Sequence, residues 1–379
     1  MMRFAISSGG TAGHIYPAIA VAQELLARGH ELIFVGSRSG QEAQLVPQEN
    51  IEYKSFPAAG FNRYRPWTLL TSSLQLQISA LKAKKWLRQF KPDAVACFGG
   101  YVSVPVGKAA AALKIPILIH EQNSAPGMAN RYLAKHASAI ALTYDDASKL
   151  LSIPDNARVQ ITGNPVRGSL ANMTSHDVRA SAREKFRSAL GIPNEARVLL
   201  AFGGSQGAQH INMALMGIYD SLMAVHGLHV VQITGRRDYE TIAQALKEHQ
   251  NNNAQKSSRW HILDYCDNMM GAYAASDLVL SRAGASTLAE IALLALPTLL
   301  VPYPYATADH QSSNARSLVE AGAALVVVDG DLDKPVFSEQ LLKLVSDVQL
   351  QSRMQKAACA MRVQNATARV ADLLLEICH

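Results

Sequence analysis

The chain has little of what marks a secreted or membrane-spanning protein. It contains only four cysteines, which lie far apart and form no C-x-x-C pair. This pattern is typical of a reduced cytosolic protein and excludes a disulfide framework or a cysteine-held metal cluster. No apolar run approaches the roughly 18 uninterrupted residues that a membrane span needs, and the start turns glycine-rich too early for a signal peptide.

Charge is also scarce, and it is unevenly spread. Only 17% of the residues are charged against 49% hydrophobic residues, which indicates a globular protein, and 379 residues suffice for two domains. Residues 1–167 hold 18 Lys and Arg against 10 Asp and Glu, whereas the remaining residues hold 18 against 20. We therefore expect only the first half to meet an anionic surface, either a nucleic acid or an anionic membrane.

Short apolar runs alternate with helical stretches along the chain, which predicts an α/β protein with parallel sheets. Strands are expected at residues 3–8, 31–35, 51–56, 93–97, 115–119, 139–142, 158–161, 197–202, 228–234, 260–263, 277–280 and 297–301. The turn sequence GNPVR at residues 163–167 divides the chain. We expect one domain over 1–165, a second over 166–350, and a helical tail over 351–379 that returns to the first domain.

Four glycine-rich turns each follow a predicted strand and open a helix. They read GGTAGH at residues 9–14, FGGYVS at 98–103, GGSQGA at 203–208 and SRAGAST at 281–287. A helix N-terminus presents unpaired N–H groups and a partial positive charge, which suits a phosphate. None of the turns fits the dinucleotide fingerprint, and the first is not followed by the Gly-Lys-Ser/Thr of a P-loop. The sequence therefore predicts diphosphate binding but argues against a dinucleotide-dependent dehydrogenase.

Glu290 lies one helical turn after the fourth glycine turn. An ionised carboxylate has two acceptor oxygens and can hold both hydroxyls of a ribose. This glycine turn and Glu290 together predict a nucleoside diphosphate site. However, Thr287-x-x-Glu290 is also the pattern of a capping box, which only closes a helix end. The sequence alone leaves both interpretations open.

Two further segments carry polar side chains near predicted strand ends. His14 is the one side chain of the first glycine turn that can take up a proton near neutral pH, although a histidine there is also commonly a cap or a surface residue. The sequence HEQN at residues 120–123 follows a predicted strand, and ligands bind at the carboxyl ends of parallel strands. Asn123 therefore either contacts a ligand or caps the following helix.

The predicted helix over residues 67–90 combines an apolar stripe with basic residues. The stripe consists of Trp67, Leu70, Leu74, Ile78, Leu81 and Lys85. Lys82, Lys85 and further basic residues crowd its far end, and such a helix can lie on an anionic bilayer. The alternative is a helix that packs on the sheet and has a solvated basic end.

An acidic D-x-D-x-D run begins at Asp329. It resembles the start of a calcium loop, but Lys334 stands where that loop requires glycine. The run also lies beyond the last predicted strand of the sheet. We therefore expect a solvated turn.

Taken together, the motifs have the order and spacing of the MurG family of bacterial glycosyltransferases, which essentially the whole chain resembles. The segments that carry the resemblance are residues 9–14, 98–103, 120–123, 163–167, 203–208 and 285–290. The resemblance implies the GT-B architecture, in which two Rossmann-like domains with parallel sheets face each other across a cleft. It also implies an inverting transfer of N-acetylglucosamine from its uridine diphosphate conjugate (UDP-GlcNAc). The acceptor would be the 4-hydroxyl of undecaprenyl-diphosphate-muramyl-pentapeptide (lipid I), and the product would be lipid II.

The resemblance further implies residue roles, with His14 as the general base. The donor would contact Thr11, Ala12, Gly13, Asn123, Arg167, Ser205, Cys266, Ala285, Ser286, Thr287, Leu288, Ala289, Glu290 and Gln311. The acceptor diphosphate would lie against Gly10, Gly13, Gly99, Gly100 and Tyr101. Membrane contact would fall to Trp67, Leu70, Leu74, Lys82 and Lys85.

The implied partners are UDP-GlcNAc, lipid I and the anionic cytoplasmic face of the inner membrane, with room for other cell-wall synthesis proteins. The resemblance implies no nucleic acid, no cofactor and no metal. Two rival functions remain at this point. A nucleotide-sugar epimerase of the same architecture would convert the donor without an acceptor, and a membrane-bound scaffold would bind nucleotide without turnover.

Overall fold

The computed structural model describes residues 1–57, 68–204, 207–250, 258–306 and 309–378, and gives only the backbone for 68–74 and 250. The chain divides into two compact units, Met1–Arg167 with Val363–His379 and Gly168–Arg362. Residues 351–362, which the sequence analysis placed in the returning tail, thus belong to the second unit. Within the described ranges, no helix is both long and apolar enough to cross a membrane.

A parallel sheet of seven strands forms the centre of the first unit, in the order β3-β2-β1-β4-β5-β6-β7. The strands are β1 (Arg3–Ser7), β2 (Glu31–Ser37), β3 (Tyr53–Phe56), β4 (Ala94–Cys97), β5 (Ile117–Glu121), β6 (Ala139–Leu142) and β7 (Arg158–Ile161). Ala5 of β1 pairs with Ile33 on one side and with Val95 on the other. The strand order reverses between β1 and β4, and ligands bind outside the carboxyl ends of strands at such a reversal.

Helices cover both faces of this sheet, because its strands are apolar on both sides. They span Ala12–Ala27, Glu42–Gln48, Thr68–Phe90, Ser103–Ala112, Met128–Ala134 and Ala366–Glu376. The last of them comes from the end of the chain. Its residues Val370 and Leu374 share an apolar cluster with Ile19 and Leu25 of the Ala12–Ala27 helix.

The second unit contains a parallel sheet of six strands in the order β10-β9-β8-β11-β12-β13. The strands are β8 (Arg197–Phe202), β9 (Leu228–Ile233), β10 (Trp260–Leu263), β11 (Leu278–Ser281), β12 (Thr298–Leu300) and β13 (Ala324–Val326). The α-helices span Gly168–Ala171, His176–Ala189, Gln209–Gly217, Tyr219–Ala224, Tyr239–Gln250, Met269–Ala275, Ala285–Leu294, His310–Glu320, Pro335–Ser346 and Val348–Ala360. The strand order again reverses, here between β8 and β11. The predicted α/β class with two parallel sheets is confirmed.

Strand β13 was not predicted from the sequence, and its three residues continue the sheet shortly before the acidic run at Asp329. So short a strand carries no periodicity of its own. It is defined by its pairing with β12, in which Leu299 lies opposite Leu325. The expectation that the sheet ends before this point was wrong.

Candidate active site

Three loops meet at the strand reversal of the first unit, one after each of β1, β4 and β5. Gly100 approaches the first loop so closely that an added Cβ atom would lie 2.1 Å from the carbonyl oxygen of Gly9. Gly99 faces His14, with only 3.1 Å between its virtual Cβ and the imidazole Nδ1. Glycine is therefore required at 100 to bring the two predicted glycine turns together.

His14 is held through its Nδ1 atom. That nitrogen lies 3.0 Å from Oε1 of Gln122, whose Nε2 donates to the carbonyl of Phe98 at 2.8 Å. Because a carbonyl only accepts, the bond to Phe98 fixes the amide orientation and turns the amide oxygen toward His14. Nδ1 must then carry the proton, which leaves Nε2 of a neutral His14 as the proton acceptor. Gln122 belongs to the predicted HEQN segment, but no sequence pattern indicated this role.

Glu121 is fully buried and organises the loop after β5. One carboxylate oxygen accepts from the backbone and side-chain nitrogens of Asn123 at 3.0 and 3.2 Å. The other accepts from Gly127 N at 3.0 Å and Asn130 Nδ2 at 2.8 Å. The next helix begins at Met128 after Gly127, so Asn123 is not its cap.

His120 is a structural group and not a second base. Its ring is wholly buried, and burial lowers its pKa to about 4, so it is neutral at pH 7. Nε2 lies 3.2 Å from the carbonyl oxygen of Gly163, to which it donates. This bond attaches the GNPVR turn to the end of β5. The same turn carries Arg167, whose guanidinium stacks 4.5 Å above the ring of Tyr16, two residues beyond His14.

The amide of Gly10, a predicted diphosphate contact, points at a carboxylate instead. Its N–H donates to Oε2 of the fully buried Glu42 over a long 3.4 Å. The other oxygen of Glu42 accepts from the backbone and hydroxyl of Ser37 at 2.9 and 2.6 Å. Glu42 thus positions the first glycine turn, and an anion would have to take over the Gly10 amide from it. No sequence motif indicated Glu42.

In the second unit, the Ala285–Leu294 helix starts directly after β11, with Gly284 as its N-cap. Thr287 lies inside the first turn, so the capping-box interpretation does not fit. Leu288 is buried against Leu300, so its side chain belongs to the core and only its backbone can serve a ligand. The helix start is therefore suited to an anion through its N–H groups.

Glu290 is half-buried, and its Oε2 accepts from the hydroxyl of Tyr273 at 2.8 Å. Tyr273 is itself buried in the Met269–Ala275 helix, which fixes the direction of the carboxylate. No sequence motif singled out this tyrosine. The Tyr273 hydroxyl comes from the helix before β11 in the chain, and the Glu290 carboxylate comes from the helix after it.

Gln311 connects the ends of two strands. Its Oε1 accepts from the backbone nitrogens of Ala283, after β11, and Tyr303, after β12, at 3.1 and 2.9 Å. The amide oxygen is thereby used by the protein. Only the amide nitrogen remains for the predicted contact with a sugar hydroxyl.

Asp329 is not in a solvated turn, which corrects the sequence expectation. Its side chain is 15% exposed and pairs with Arg282 at 2.6 Å and with His210 at 2.9 Å. Burial alone would raise the pKa of Asp329, but the hydrogen bond from His210 and the positive charge of Arg282 lower it. The bond to Asp329 raises the pKa of His210, whose Nε2 also lies 3.0 Å from Asp333. Asp329 therefore ties the turn after β11 to the helix that follows β8.

Other predicted residues are less informative. Ser205 and Trp67 lie outside the described residues, as do the side chains of Leu70 and Leu74. Cys266 follows β10 and is half-buried, and burial raises the pKa of its thiol. Thr11 is exposed at the N-cap of the His14 helix. Ala12 and Gly13 lie in the first turn of the Ala12–Ala27 helix, and Ala285, Ser286 and Ala289 lie in the Ala285–Leu294 helix.

Comparison with known proteins assigns both units to one glycosyltransferase family. The model of the glycosyltransferase family 28 N-terminal domain matches residues 4–142, and that of the C-terminal domain matches residues 198–372. Relatives from Halothermothrix orenii and Bacillus subtilis are 40% and 34% identical, over 92% and 99% of this chain and 90% and 99% of their own. Both carry the name UDP-N-acetylglucosamine–N-acetylmuramyl-(pentapeptide) pyrophosphoryl-undecaprenol N-acetylglucosamine transferase.

Solved structures extend the comparison to the fold. The crystal structure of Acinetobacter baumannii MurG matches with a TM-score of 0.76 and 27% identity, over 99% of this chain and 100% of that one. A UDP-GlcNAc 2-epimerase from Neisseria meningitidis matches with a TM-score of 0.70 over 99% of this chain and all of its own. Its identity is only 17%, so this likeness shows the fold alone.

Proposed function

The chain belongs to glycosyltransferase family 28, and from this premise we propose that it transfers N-acetylglucosamine from UDP-GlcNAc to lipid I, forming lipid II. The observation that carries this function is the name shared by relatives that match nearly the whole chain at 34–40% identity. The GT-B fold and the two glycine-turn sites agree with it. The epimerase alternative has only a shared fold in its favour.

We assign the donor nucleotide to the second unit. The diphosphate would lie at the start of the Ala285–Leu294 helix, where backbone N–H groups and the helix dipole stabilise negative charge. Glu290, oriented by Tyr273, would hold the ribose hydroxyls, and the amide nitrogen of Gln311 would reach the sugar. As UDP leaves, the same helix start would stabilise the charge that develops on the diphosphate.

We assign proton transfer to His14. Its Nε2 would accept the proton of the acceptor 4-hydroxyl while that oxygen bonds to the anomeric carbon and the bond to UDP breaks. A single displacement of this kind inverts the anomeric carbon. Gln122 keeps the other nitrogen protonated, so Nε2 presents its lone pair without a prior proton shift. Gly99 and Gly100 would border the acceptor diphosphate, with Tyr101 and the first glycine turn.

The exposed side of the Thr68–Phe90 helix supports contact with an anionic membrane. Leu81 and Ile78 are 69% and 41% exposed, and Lys82 and Lys85 are exposed beside them. Trp86, next to Lys85 in the chain, is buried and packs the helix on the sheet. The helix therefore packs on the sheet and still presents part of the predicted stripe. The acceptor's lipid would lie in the same membrane.

Release of UDP from UDP-GlcNAc, with and without a soluble lipid I analogue, tests the function. We expect release only when the acceptor is present. Conversion of the donor without acceptor would establish the epimerase instead. Bound donor with no turnover, even with native lipid I in vesicles, would leave only a scaffold role.

Sedimentation with anionic vesicles tests the membrane contact separately. Replacing Ile78 and Leu81 by glutamine should reduce the fraction that sediments, because apolar area and adjacent lysines both contribute to binding. Val348→Gln is the matched control, since Val348 is 64% exposed in the second unit. Equal sedimentation of wild type and the double variant would show that this stripe does not bind membranes.

A further inference from the structure

A cavity of about 170 Å³ lies within the second unit, at the far end of the Ala285–Leu294 helix from its glycine turn. By the same kind of measure a water molecule needs only ~15 Å³, so the cavity has room for a small molecule. Its lining includes Arg179, Arg362, His176, Thr174, Leu293 and Leu294. None of these residues has a role in the proposed transfer.

The cavity lining is cationic and contains no carboxylate. Arg179 donates to the carbonyl of Leu294 at 3.1 Å. Burial lowers its pKa, and the charges of Arg183 and Arg362 lower it further, against an opposing effect of Asp277. That aspartate is already paired at 2.9 Å with each of Arg183 and Arg187. Among the residues that the structure describes, no carboxylate forms an ion pair with either of the two guanidinium groups that line the cavity.

Arg362 supplies a second observation. Its Nε atom is buried and has no hydrogen-bond partner in the part of the chain that the structure describes. A buried charged donor without a partner is costly, and native proteins usually satisfy such groups. Asp177 is not part of the lining, and its fully exposed carboxylate lies 3.5 Å from the imidazole of His176.

We propose that this cavity binds a phosphate-type oxyanion between Arg179 and Arg362. The guanidinium fork presents paired N–H donors that match phosphate geometry. The C-terminus of the Ala285–Leu294 helix would by itself repel an anion. However, Arg179 already caps its Leu294 carbonyl, so the local charge remains positive.

The first experiment is a thermal unfolding series of the full chain with inorganic phosphate, compared with chloride at equal ionic strength. UDP is kept saturating, so that phosphate cannot act at the nucleotide site. We expect the Tm to rise with phosphate and to saturate. A rise that chloride reproduces, or no saturable effect of phosphate on the wild type, would overturn the proposal without any variant.

Arg362→Gln then tests the residue, with Arg353→Gln as a matched control. Arg353 is exposed on the Val348–Ala360 helix, so both variants remove one positive charge from neighbouring segments. We expect Arg362→Gln to weaken phosphate binding by about tenfold or more, since a hydrogen bond to a charged group contributes on that order. Arg353→Gln should bind as the wild type does, and an equal loss in both variants would count against the site.

A second variant and a second probe complete the test. If Arg362→Gln does not fold, Arg179→Gln provides the same comparison by calorimetric titration with phosphate. Vesicles containing phosphatidic acid distinguish the two sources of the oxyanion. Sedimentation that depends on Arg362 and is competed by phosphate identifies a lipid headgroup. Phosphate binding that leaves sedimentation unchanged identifies a soluble ligand. Either result supports the oxyanion site.

Discussion

Replacing Gln122 by methionine should slow transfer without changing nucleotide binding. Methionine has a similar length, but it offers neither the acceptor for Nδ1 of His14 nor the donor for the carbonyl of Phe98. The His14 proton can then occupy either nitrogen. The tautomer with the proton on Nδ1, which leaves Nε2 free to act as the base, loses about 0.5–1.5 kcal/mol of stabilisation, the net value of one hydrogen bond. At 1.36 kcal/mol per factor of ten, kcat should fall about 2- to 13-fold.

The assay is the rate of acceptor-dependent UDP release, with UDP affinity measured separately by calorimetry. Affinity should stay constant, because Glu290 and the glycine turn proposed to hold UDP lie in the second unit. Gln23→Met serves as the control, since Gln23 lies near the other end of the His14 helix and its side chain donates to Glu49 at the surface. An unchanged kcat, or a loss of UDP affinity that accounts for the slower rate, would refute the proposed role of Gln122.

The other predictions concern both units. His14→Ala should lower kcat by about 10²- to 10⁴-fold, as expected for loss of a general base, and an unaltered kcat would reject that assignment. Glu290→Ala should weaken UDP binding strongly. Tyr273→Phe should weaken it by about 2- to 13-fold, because one hydrogen bond to the carboxylate is lost. If calorimetry shows that both variants bind UDP as tightly as the wild type, Glu290 does not contact the ribose. The pKa of His210 is raised above 6.5 in the folded state by Asp329. Its stabilisation is therefore full below about pH 6.5 and is lost as the pH rises through the folded-state pKa. In thermal unfolding, the Tm of His210→Asn should fall furthest below that of the wild type at pH values below about 6.5. A Tm difference that stays constant across pH would contradict this prediction.

Local sequence was informative wherever one segment contains the whole signal. The apolar run before each glycine turn predicted a buried strand, because strands in a parallel sheet are covered on both faces. The turn at residues 281–287 predicted a helix start, and the helix begins at Ala285. The sequence did not predict β13, whose identity depends on its pairing with β12.

The sequence by itself determined the two parallel sheets, the glycine turns and the family, since apolar periodicity and motif spacing are properties of short segments and their order. Only the tertiary structure decided which side chains serve those turns. His14 meets Gln122 because β1 and β5 both flank β4, although the two residues are 108 positions apart. Asp329 meets Arg282 because β13 extends the sheet next to β12, which in turn lies next to β11. Hydrogen bonds act over about 3 Å, so contacts of this kind follow from strand order and not from neighbourhood in the sequence.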